Sequence, residues 1–264
     1  MKLNIYQIDA FTDKLFGGNP AAVCPLKAWL PDALMQNIAK ENNLAETAFY
    51  VPDEEEYLIR WFTPTVEVDL CGHATLASAY VLFNFENHSA DTIRFHSPRS
   101  GELIVTRQGD KIALDFPTDI LAPVEITPVL AAAFNIKPIE IWKGKTDYLY
   151  LFNNEAEIRS ALPDIDHIST FQARGVIITA KGENVNFVSR FFAPQSGVIE
   201  DPVTGSAHTS LTPFWYSKTG KVHFTASQLS TRVGLLDCTY LQERVIISGQ
   251  ARHYLTGEIF ITES

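Results

Sequence analysis

The feature of this sequence that most constrains its fold is an internal repeat of a short motif. Arg60-Trp61-Phe62-Thr63-Pro64 resembles Arg190-Phe191-Phe192-Ala193-Pro194 at an offset of 130, about half of the 264 residues. Downstream, Cys71-Gly72-His73-Ala74 matches Thr204-Gly205-Ser206-Ala207 at an offset of 133, which implies a three-residue insertion in the second copy. Two matches in the same order favour a duplication. We predict two similar domains, residues 1–118 and 119–264, with a last strand that can return to the first domain.

Each copy is predicted to run from a strand through the motif and a loop to a helix that begins at a glycine. The helix from Gly72 has almost no polar face over about three turns, so other structure should surround it. The helix from Gly205 contains Pro213 and should kink or end near Leu211. Strands are expected at 3–11, 56–63 and 91–107, with an amphipathic helix that opens at Pro31-Asp32 and ends near Asn43.

Charge and composition exclude several classes of function. The net charge is −10 and the pI is about 5.1, so the average surface would repel a phosphate backbone, and no nucleic-acid partner is expected. No stretch has the 18 apolar residues of a membrane helix, so no membrane partner is expected and the protein should be cytoplasmic. The three cysteines suggest no disulfide framework. No dinucleotide, nucleotide, serine-hydrolase or zinc-protease motif occurs, and nothing here requires a cofactor.

The two glycine-led helices carry the first functional hypothesis. Helix N-termini expose unpaired backbone N–H groups and a positive dipole end, so two of them facing each other would hold a small carboxylate in a cleft between the domains. His73 and Ser206 would be equivalent first-turn side chains that point at this ligand. In the alternative, Gly72 and Gly205 only relieve packing and Ser206 is a simple helix cap.

Acidic and thiol side chains provide the second hypothesis. Glu46 precedes the apolar run Ala48-Phe49-Tyr50, where a carboxylate is partly desolvated and suited to general acid–base work; an exposed glutamate at a strand end is the alternative. Glu200 and Asp201 lie just before the second helix, as site residues or as a solvated acidic turn. Cys71 is a candidate base or a buried thiol. A metal site is not expected, because Cys71 and His73 supply only two ligands.

Three motifs and the N-terminal region resemble the PhzF (phenazine biosynthesis) family. They are Asn-Leu-Ala-Glu-Thr-Ala at 43–48, Cys-Gly-His-Ala-Thr-Leu-Ala at 71–77, Glu-Asp-Pro-Val-Thr-Gly-Ser-Ala-His at 200–208, and Phe-Gly-Gly-Asn-Pro-Ala-Ala-Val at 16–23. The resemblance implies an α+β, diaminopimelate epimerase-like fold: two pseudo-symmetric domains, each a mixed β-sheet wrapped around a central helix. It implies a cofactor-independent isomerase that moves a proton on a small acid, as the family's phenazine-pathway members do on dihydro-hydroxyanthranilate.

The resemblance also implies roles for individual residues. Glu46 would be the acid/base. His73, Asp201 and Ser206 would hold and polarise the substrate, and the N–H groups at Gly72 and Gly205 would bind its carboxylate. Asn19 and Cys71 are further candidates, and no cofactor or metal is implied. The expected partners are a small carboxylate-bearing substrate and a second copy of the chain.

Two alternative functions stay open on the sequence. Epimerase relatives use two facing cysteines, but this chain has Cys71 before Gly72 and Thr204 before Gly205. Cys71 could act alone as the base of a racemase or epimerase if the helix start lowered its thiol pKa. The chain could also bind a small acid without turning it over. The sequence does not identify the substrate.

Overall fold

The computed structural model describes residues 1–261. No helix among them has the length and apolarity needed to cross a bilayer. The helices are α1 (Asp32–Asn42), α2 (Gly72–Asn84), α3 (Pro128–Ala131), α4 (Glu155–Ser160), α5 (Ile165–Ser169) and α6 (His208–Thr219), with a 3-10 turn at Pro194–Ser196. The strands are β1 (Lys2–Ala10), β2 (Asn19–Pro25), β3 (Glu46–Asp53), β4 (Glu56–Phe62), β5 (Glu67–Val68), β6 (Thr92–Ser97), β7 (Gly101–Gln108), β8 (Lys111–Pro117), β9 (Ala122–Val124), β10 (Glu140–Lys143), β11 (Asp147–Leu151), β12 (Gly175–Lys181), β13 (Phe187–Phe192), β14 (His223–Gln228), β15 (Gly234–Leu241), β16 (Arg244–Gly249) and β17 (Ala251–Phe260).

The first compact unit consists of Met1–Asp115 and the chain from Ser248 onward. Its sheet is mixed: β1 pairs antiparallel with both β17 and β2, β2 pairs parallel with β3, and β4 pairs antiparallel with β3 and parallel with β6. The hairpin of β6 and β7 and the strand β8 continue the antiparallel part. α2 packs against β1, β2 and β3.

Helix α2 is the central helix of this unit. Eleven of its 13 residues are buried, and the two that are not are Tyr80 and Asn84. A helix that is apolar all round must be enclosed, so the prediction of a surrounded helix from Gly72 is confirmed. The amphipathic helix α1 instead covers one face of the sheet, where Met35 and Ile38 pack with Phe49 and Phe62. It ends at Asn42 and is capped by Asn43 in the left-handed conformation, close to the predicted bound.

The second compact unit is Phe116–Ile247. Its sheet is also mixed: β9, β10 and β11 are antiparallel, β11 pairs parallel with β12, β12 antiparallel with β13, β13 parallel with β14, and β14 antiparallel with β15. Phe134, Tyr150, Phe152 and Phe192 lie at the centre of one of its apolar clusters. The second repeat helix, α6, packs on β15.

Helix α6 differs from the sequence prediction at both of its ends. The chain from Gly205 first makes a tight turn, in which His208 N–H donates to the Gly205 carbonyl and Thr209 N–H to the Ser206 carbonyl, so the α-helix begins at His208 rather than at Gly205. Pro213 does not end it, and the helix continues to Thr219. Proline removes the N–H that would reach Thr209, but that carbonyl accepts from the Asp119 N–H at 3.2 Å instead.

The repeated motif makes the same interactions in both units, which confirms the two pseudo-symmetric halves. Arg60 forms two hydrogen bonds to Glu67 and lies 5.2 Å from the Phe62 ring. Arg190 forms two hydrogen bonds to Glu200 and lies 4.9 Å from the Phe192 ring. The arginine and glutamate are 7 positions apart in the first copy and 10 in the second. The difference is the inferred three-residue insertion, and the second copy carries the 3-10 turn between the two partners.

Candidate active site

In the first unit, three element starts meet at one place and define the candidate site. Asn19 is the first residue of β2 and Glu46 the first residue of β3. These strands run parallel, with Glu46 opposite Ala21. α2 begins at Gly72 and packs on both strands, so the His73 side chain lies beside Asn19 and Glu46.

The glycine loop before β2 makes this placement possible. Gly18 has a φ of +59°, and a Cβ there would collide with the carbonyl of Ala10. Only glycine relieves both constraints at once. Ala10 is paired with Asn19 across β1 and β2, so the tight loop sets the position of Asn19, which is fully buried.

His73 has a polar side chain beside each of its ring nitrogens. Its Nδ1 lies 3.1 Å from Asn19 Nδ2, and its Nε2 lies 3.1 Å from Glu46 Oε2. With the amide of Asn19 donating to Nδ1, the ring carries its proton on Nε2, on the side of Glu46. Asn19 therefore selects the tautomer in which His73 faces the glutamate with a donor.

His73 is buried and Glu46 is half-buried, and the two atoms that face each other leave hydrogen-bonding capacity unused. The side chains are 15% and 5% exposed. Among residues 1–261, neither Glu46 Oε2 nor His73 Nε2 has a hydrogen-bond partner, although the two atoms are at ion-pair distance. Buried polar atoms are satisfied in most folds. These two atoms are therefore candidates for contact with a ligand.

The charge state of His73 follows from its neighbours. Burial lowers the pKa of His73, but the adjacent Cys71 and Glu46 raise it by more, and the net pKa lies above the usual histidine value. An anionic carboxylate at this distance favours a proton on the facing nitrogen, Nε2. The site therefore combines a hydrogen-bond donor with a carboxylate that can accept a proton.

Cys71 lies on the other side of the His73 ring. Its Sγ is 3.5 Å from His73 Nδ1. Burial and the charge of Glu46 raise the pKa of the Cys71 thiol to about 11, despite the opposing effect of His73. A thiolate base would require a lowered pKa. The condition on which the single-thiol hypothesis depends is therefore not met.

Glu46, Cys71 and His73 are also residues of metal-ligating type, with ligand atoms within 4.8 Å of one another. The fold thus adds Glu46 to the two ligands that the sequence suggested. However, Cys71 faces Nδ1 while Glu46 faces Nε2. A metal ion bonds to one nitrogen of an imidazole, so only one of Cys71 and Glu46 faces the nitrogen that would bind it.

In the second unit, the residues of the acidic turn have separate environments. Asp201 Oδ2 accepts from the Thr204 hydroxyl at 2.5 Å, and the Asp201 carbonyl accepts from Gln228 Nε2. Gly205 lies in the turn before α6, and Ser206 Oγ accepts from Arg174 Nη1 at 2.9 Å. Glu200 is engaged by Arg190 in the repeated ion pair, so of the two adjacent carboxylates it has the structural role.

Arg174 and its partner Asp147 are the residues that sequence reasoning missed beside Ser206. Asp147 is 3% exposed and accepts two hydrogen bonds from the Arg174 guanidinium. Arg174 is 32 positions from Ser206 and 27 from Asp147, and neither spacing belongs to a recognisable motif. The one sequence feature that could have identified Arg174 is its position directly before the apolar run Gly-Val-Ile-Ile at 175–178.

Comparison with known proteins places these residues in a family context. Residues 8–257 match the family model described as phenazine biosynthesis-like protein. An uncharacterized isomerase of Pseudomonas aeruginosa is 49% identical over 99% of this chain and 100% of its own length. The crystal structure of a PhzF-family phenazine biosynthesis protein from Enterococcus faecalis is 44% identical, with a TM-score of 0.96 over 99% of this chain and 100% of that one.

A more distant structure bears on the fold alone. A hydroxyproline epimerase from Agrobacterium vitis superposes with a TM-score of 0.61 at 8% identity, over 98% of this chain and 92% of that one. The epimerase-like α+β fold expected from the sequence is therefore confirmed.

Proposed function

Because this chain belongs to the family of phenazine biosynthesis-like proteins, we propose that it moves a proton on a small carboxylate-bearing metabolite with Glu46 as the acid/base. It is an isomerase of that family. The observation that carries the proposal is the pair of half-buried Glu46 and buried His73, whose facing atoms have no hydrogen-bond partner among the described residues.

The proposed proton transfer requires a general base and hydrogen-bond donors. Removing a proton beside a carboxylate builds negative charge on a substrate that is already anionic. In the proposed step, the Glu46 carboxylate takes a proton from one carbon while the C–H electron pair moves into the adjacent unsaturated system. Protonated Glu46 then returns the proton to another carbon. No other group is consumed, and His73 stabilises the charge through its Nε2 proton.

The remaining assignments follow the resemblance and are part of the proposal. His73, Asp201 and Ser206 hold and polarise the substrate, and the N–H groups at Gly72 and Gly205 bind its carboxylate. Gly72 begins α2, and the backbone N–H groups at the start of a helix can bind an anion, which supports the role of Gly72.

Solvent deuterium exchange tests the proposal without knowledge of the natural substrate. The purified protein is incubated in heavy water with dihydro-hydroxyanthranilate, trans-4-hydroxy-L-proline and diaminopimelate, and exchange is followed by NMR. We expect Glu46→Gln to lose at least about a hundredfold in exchange rate, as removal of a general base does. Cys71→Ala should retain most of the rate, because its thiol is protonated near neutral pH.

Two further measurements make this result interpretable. Glu56→Gln changes the first residue of β4 as Glu46→Gln changes the first residue of β3, and it should exchange like wild type. Each variant's melting temperature should stay close to that of wild type. Exchange that survives Glu46→Gln but not Cys71→Ala would overturn the assignment in favour of the thiol. Binding of an acid by wild type without any exchange would favour the non-catalytic binding protein.

A further inference from the structure

The position of Arg174 is fixed by the sheet of the second unit. β11 and β12 run parallel with Asp147 opposite Gly175, so Arg174, one residue before β12, lies beside Asp147. The Arg174 N–H also donates to the Thr146 carbonyl at 2.8 Å. A Cβ at Gly175 would come within 2.6 Å of the Phe191 ring. The glycine therefore lets Phe191 approach closely, and the Arg174 guanidinium lies 5.1 Å from its centre.

The guanidinium is held on three sides. Nε donates to Asp147 Oδ1 at 2.9 Å, Nη2 donates to Asp147 Oδ2, and Nη1 donates to Ser206 Oγ at 2.9 Å. Such a two-point pair with a buried carboxylate fixes the plane of the guanidinium. The side chain is nevertheless 34% exposed, so this end of the group is not sealed in the core.

The contact with Arg174 determines the orientation of the Ser206 hydroxyl. A guanidinium has donors only, so Ser206 Oγ must act as the acceptor in this bond. Its own proton is then turned away from Arg174, and no described residue accepts it. Asp147 neutralises the charge of Arg174. Arg174 therefore acts on Ser206 by orienting its hydroxyl group more than by electrostatic attraction.

We propose that Arg174 is a positioning residue that holds the Ser206 hydroxyl as a donor toward an oxygen atom of the bound acid. The inference rests on the proposed function for the substrate-binding role of Ser206, and it adds Arg174, with Asp147 behind it, to the residues that determine affinity. The group it recognises is a hydrogen-bond acceptor, such as a carboxylate or carbonyl oxygen.

The same unit offers a matched control in Arg190. That arginine also makes two hydrogen bonds to one acid, Glu200, and also lies over a phenylalanine ring. Its remaining donor, Nη1, goes to the carbonyls of Ile158 and Ala161 rather than to a hydroxyl. Arg190 thus has the structural features of Arg174 without the contact with a proposed substrate-binding group.

The test measures binding, so that it is independent of turnover. Ligand-observed NMR titrations with dihydro-hydroxyanthranilate, trans-4-hydroxy-L-proline and diaminopimelate are run on wild type, Arg174→Lys, Ser206→Ala, the double variant and Arg190→Lys. For the tightest acid, we expect Arg174→Lys and Ser206→Ala each to raise Kd about tenfold, as loss of one oriented hydrogen bond does. The double variant should lie within about twofold of Ser206→Ala, because Arg174 acts through that hydroxyl.

The outcomes separate this inference from the proposed function. Arg190→Lys should lower the melting temperature and leave Kd unchanged. An equal rise in Kd for Arg190→Lys, additive losses in the double variant, or no binding of any acid to wild type would each overturn the positioning role. If wild type binds an acid but exchanges no deuterium, the isomerase mechanism fails while the Kd series still decides the role of Arg174.

Discussion

Two buried histidines show how strongly the nearest neighbours determine a side chain's chemistry. Beside Glu46, the pKa of His73 is raised. His208, at the start of α6, is equally enclosed, but its Nδ1 donates to the Thr204 carbonyl and its Nε2 has no described hydrogen-bond partner. Burial lowers the pKa of His208 to about 4. The first ring is suited to proton chemistry, and the second is a neutral part of the core.

The neutral state of His208 predicts a pH-dependent stability. Because its pKa falls from 6.5 in the unfolded chain to about 4 in the fold, the unfolded state binds more protons between these values. The contribution of neutral His208 to the free energy of unfolding is complete above about pH 6.5. It falls by about 3 kcal/mol as the pH is lowered from 6.5 toward 4. His208→Asn retains a donor for the Thr204 carbonyl and removes the titration, so its free energy of unfolding should depend less on pH.

Urea unfolding at intervals from pH 7 to pH 4 measures this difference. His223→Asn makes the same substitution at an exposed position at the start of β14 and serves as the matched control. Parallel curves for wild type and His208→Asn would show that His208 does not titrate between these limits.

At the same scale, the sequence predicted the members of the site better than their contacts. The motifs singled out Asn19, Glu46, Cys71 and His73, and the structure brings these four together. The motifs do not show that Asn19 and Glu46 lie at opposite nitrogens of the His73 ring. That arrangement depends on how β2, β3 and α2 pack together. The partnership of Arg174 with Ser206 was beyond reach because it depends on the register of β11 and β12.

At the scale of elements, α2 is a helix whose small side chains set how closely the sheet approaches it. Ala74, Ala77 and Ala79 are fully buried, and the helix packs on β1, β2, β3 and β17. Protein interiors are close-packed, so there is little room for added volume at these positions. The placement of His73 at the first turn depends on this close approach.

Enlarging one of these alanines should therefore cost stability. We expect Ala77→Leu to lower the free energy of unfolding by about 1–3 kcal/mol through overpacking. Ala156→Leu makes the same change at an exposed position of α4 and should stay within about 0.5 kcal/mol of wild type. Denaturant unfolding monitored by circular dichroism compares the two. Equal effects would mean that α2 is not tightly enclosed.

The continuation of α6 past Pro213 was not predicted, because it depends on a distant part of the chain. Pro213 breaks a local rule, and the helix survives because the Asp119 N–H, far away in sequence, satisfies the Thr209 carbonyl. The apolar pattern after Gly72 needed no such help, and α2 followed it from end to end. The local pattern thus predicted α2 in full and missed the continuation of α6 past Pro213, which has a distant partner.

At the scale of the whole molecule, the two units differ in how the chain builds them. The second is continuous, from Phe116 to Ile247, whereas the first is completed by residues from Ser248 onward. β17 pairs with β1 along its whole length, from Lys2 with Phe260 to Ala10 with Ala251. β1 therefore depends for one of its two neighbours on the last part of the sequence.

Ending the chain after Ile247 should damage the units unequally. The first unit loses β17 and with it one full edge of hydrogen bonds to β1, while the second keeps β9 to β15 whole and β16 is shortened by Ser248 and Gly249. Hydrogen exchange read by mass spectrometry should show lost protection in β1 and β2 and retained protection in β11, β12 and β13. Uniform loss of protection across both units would show that they unfold as one.

The same return of the chain imposes an order on synthesis. On the ribosome, domains generally fold as they emerge, the N-terminal one first. Here the first unit is complete only after β17 has been synthesised. The strands β9 to β15 of the second unit are therefore available before the first unit has its full sheet. During that interval, one side of β1 presents unpaired backbone groups, the kind of strand edge on which chaperones and neighbouring nascent chains act. The two pseudo-symmetric units are thus completed at different times during synthesis.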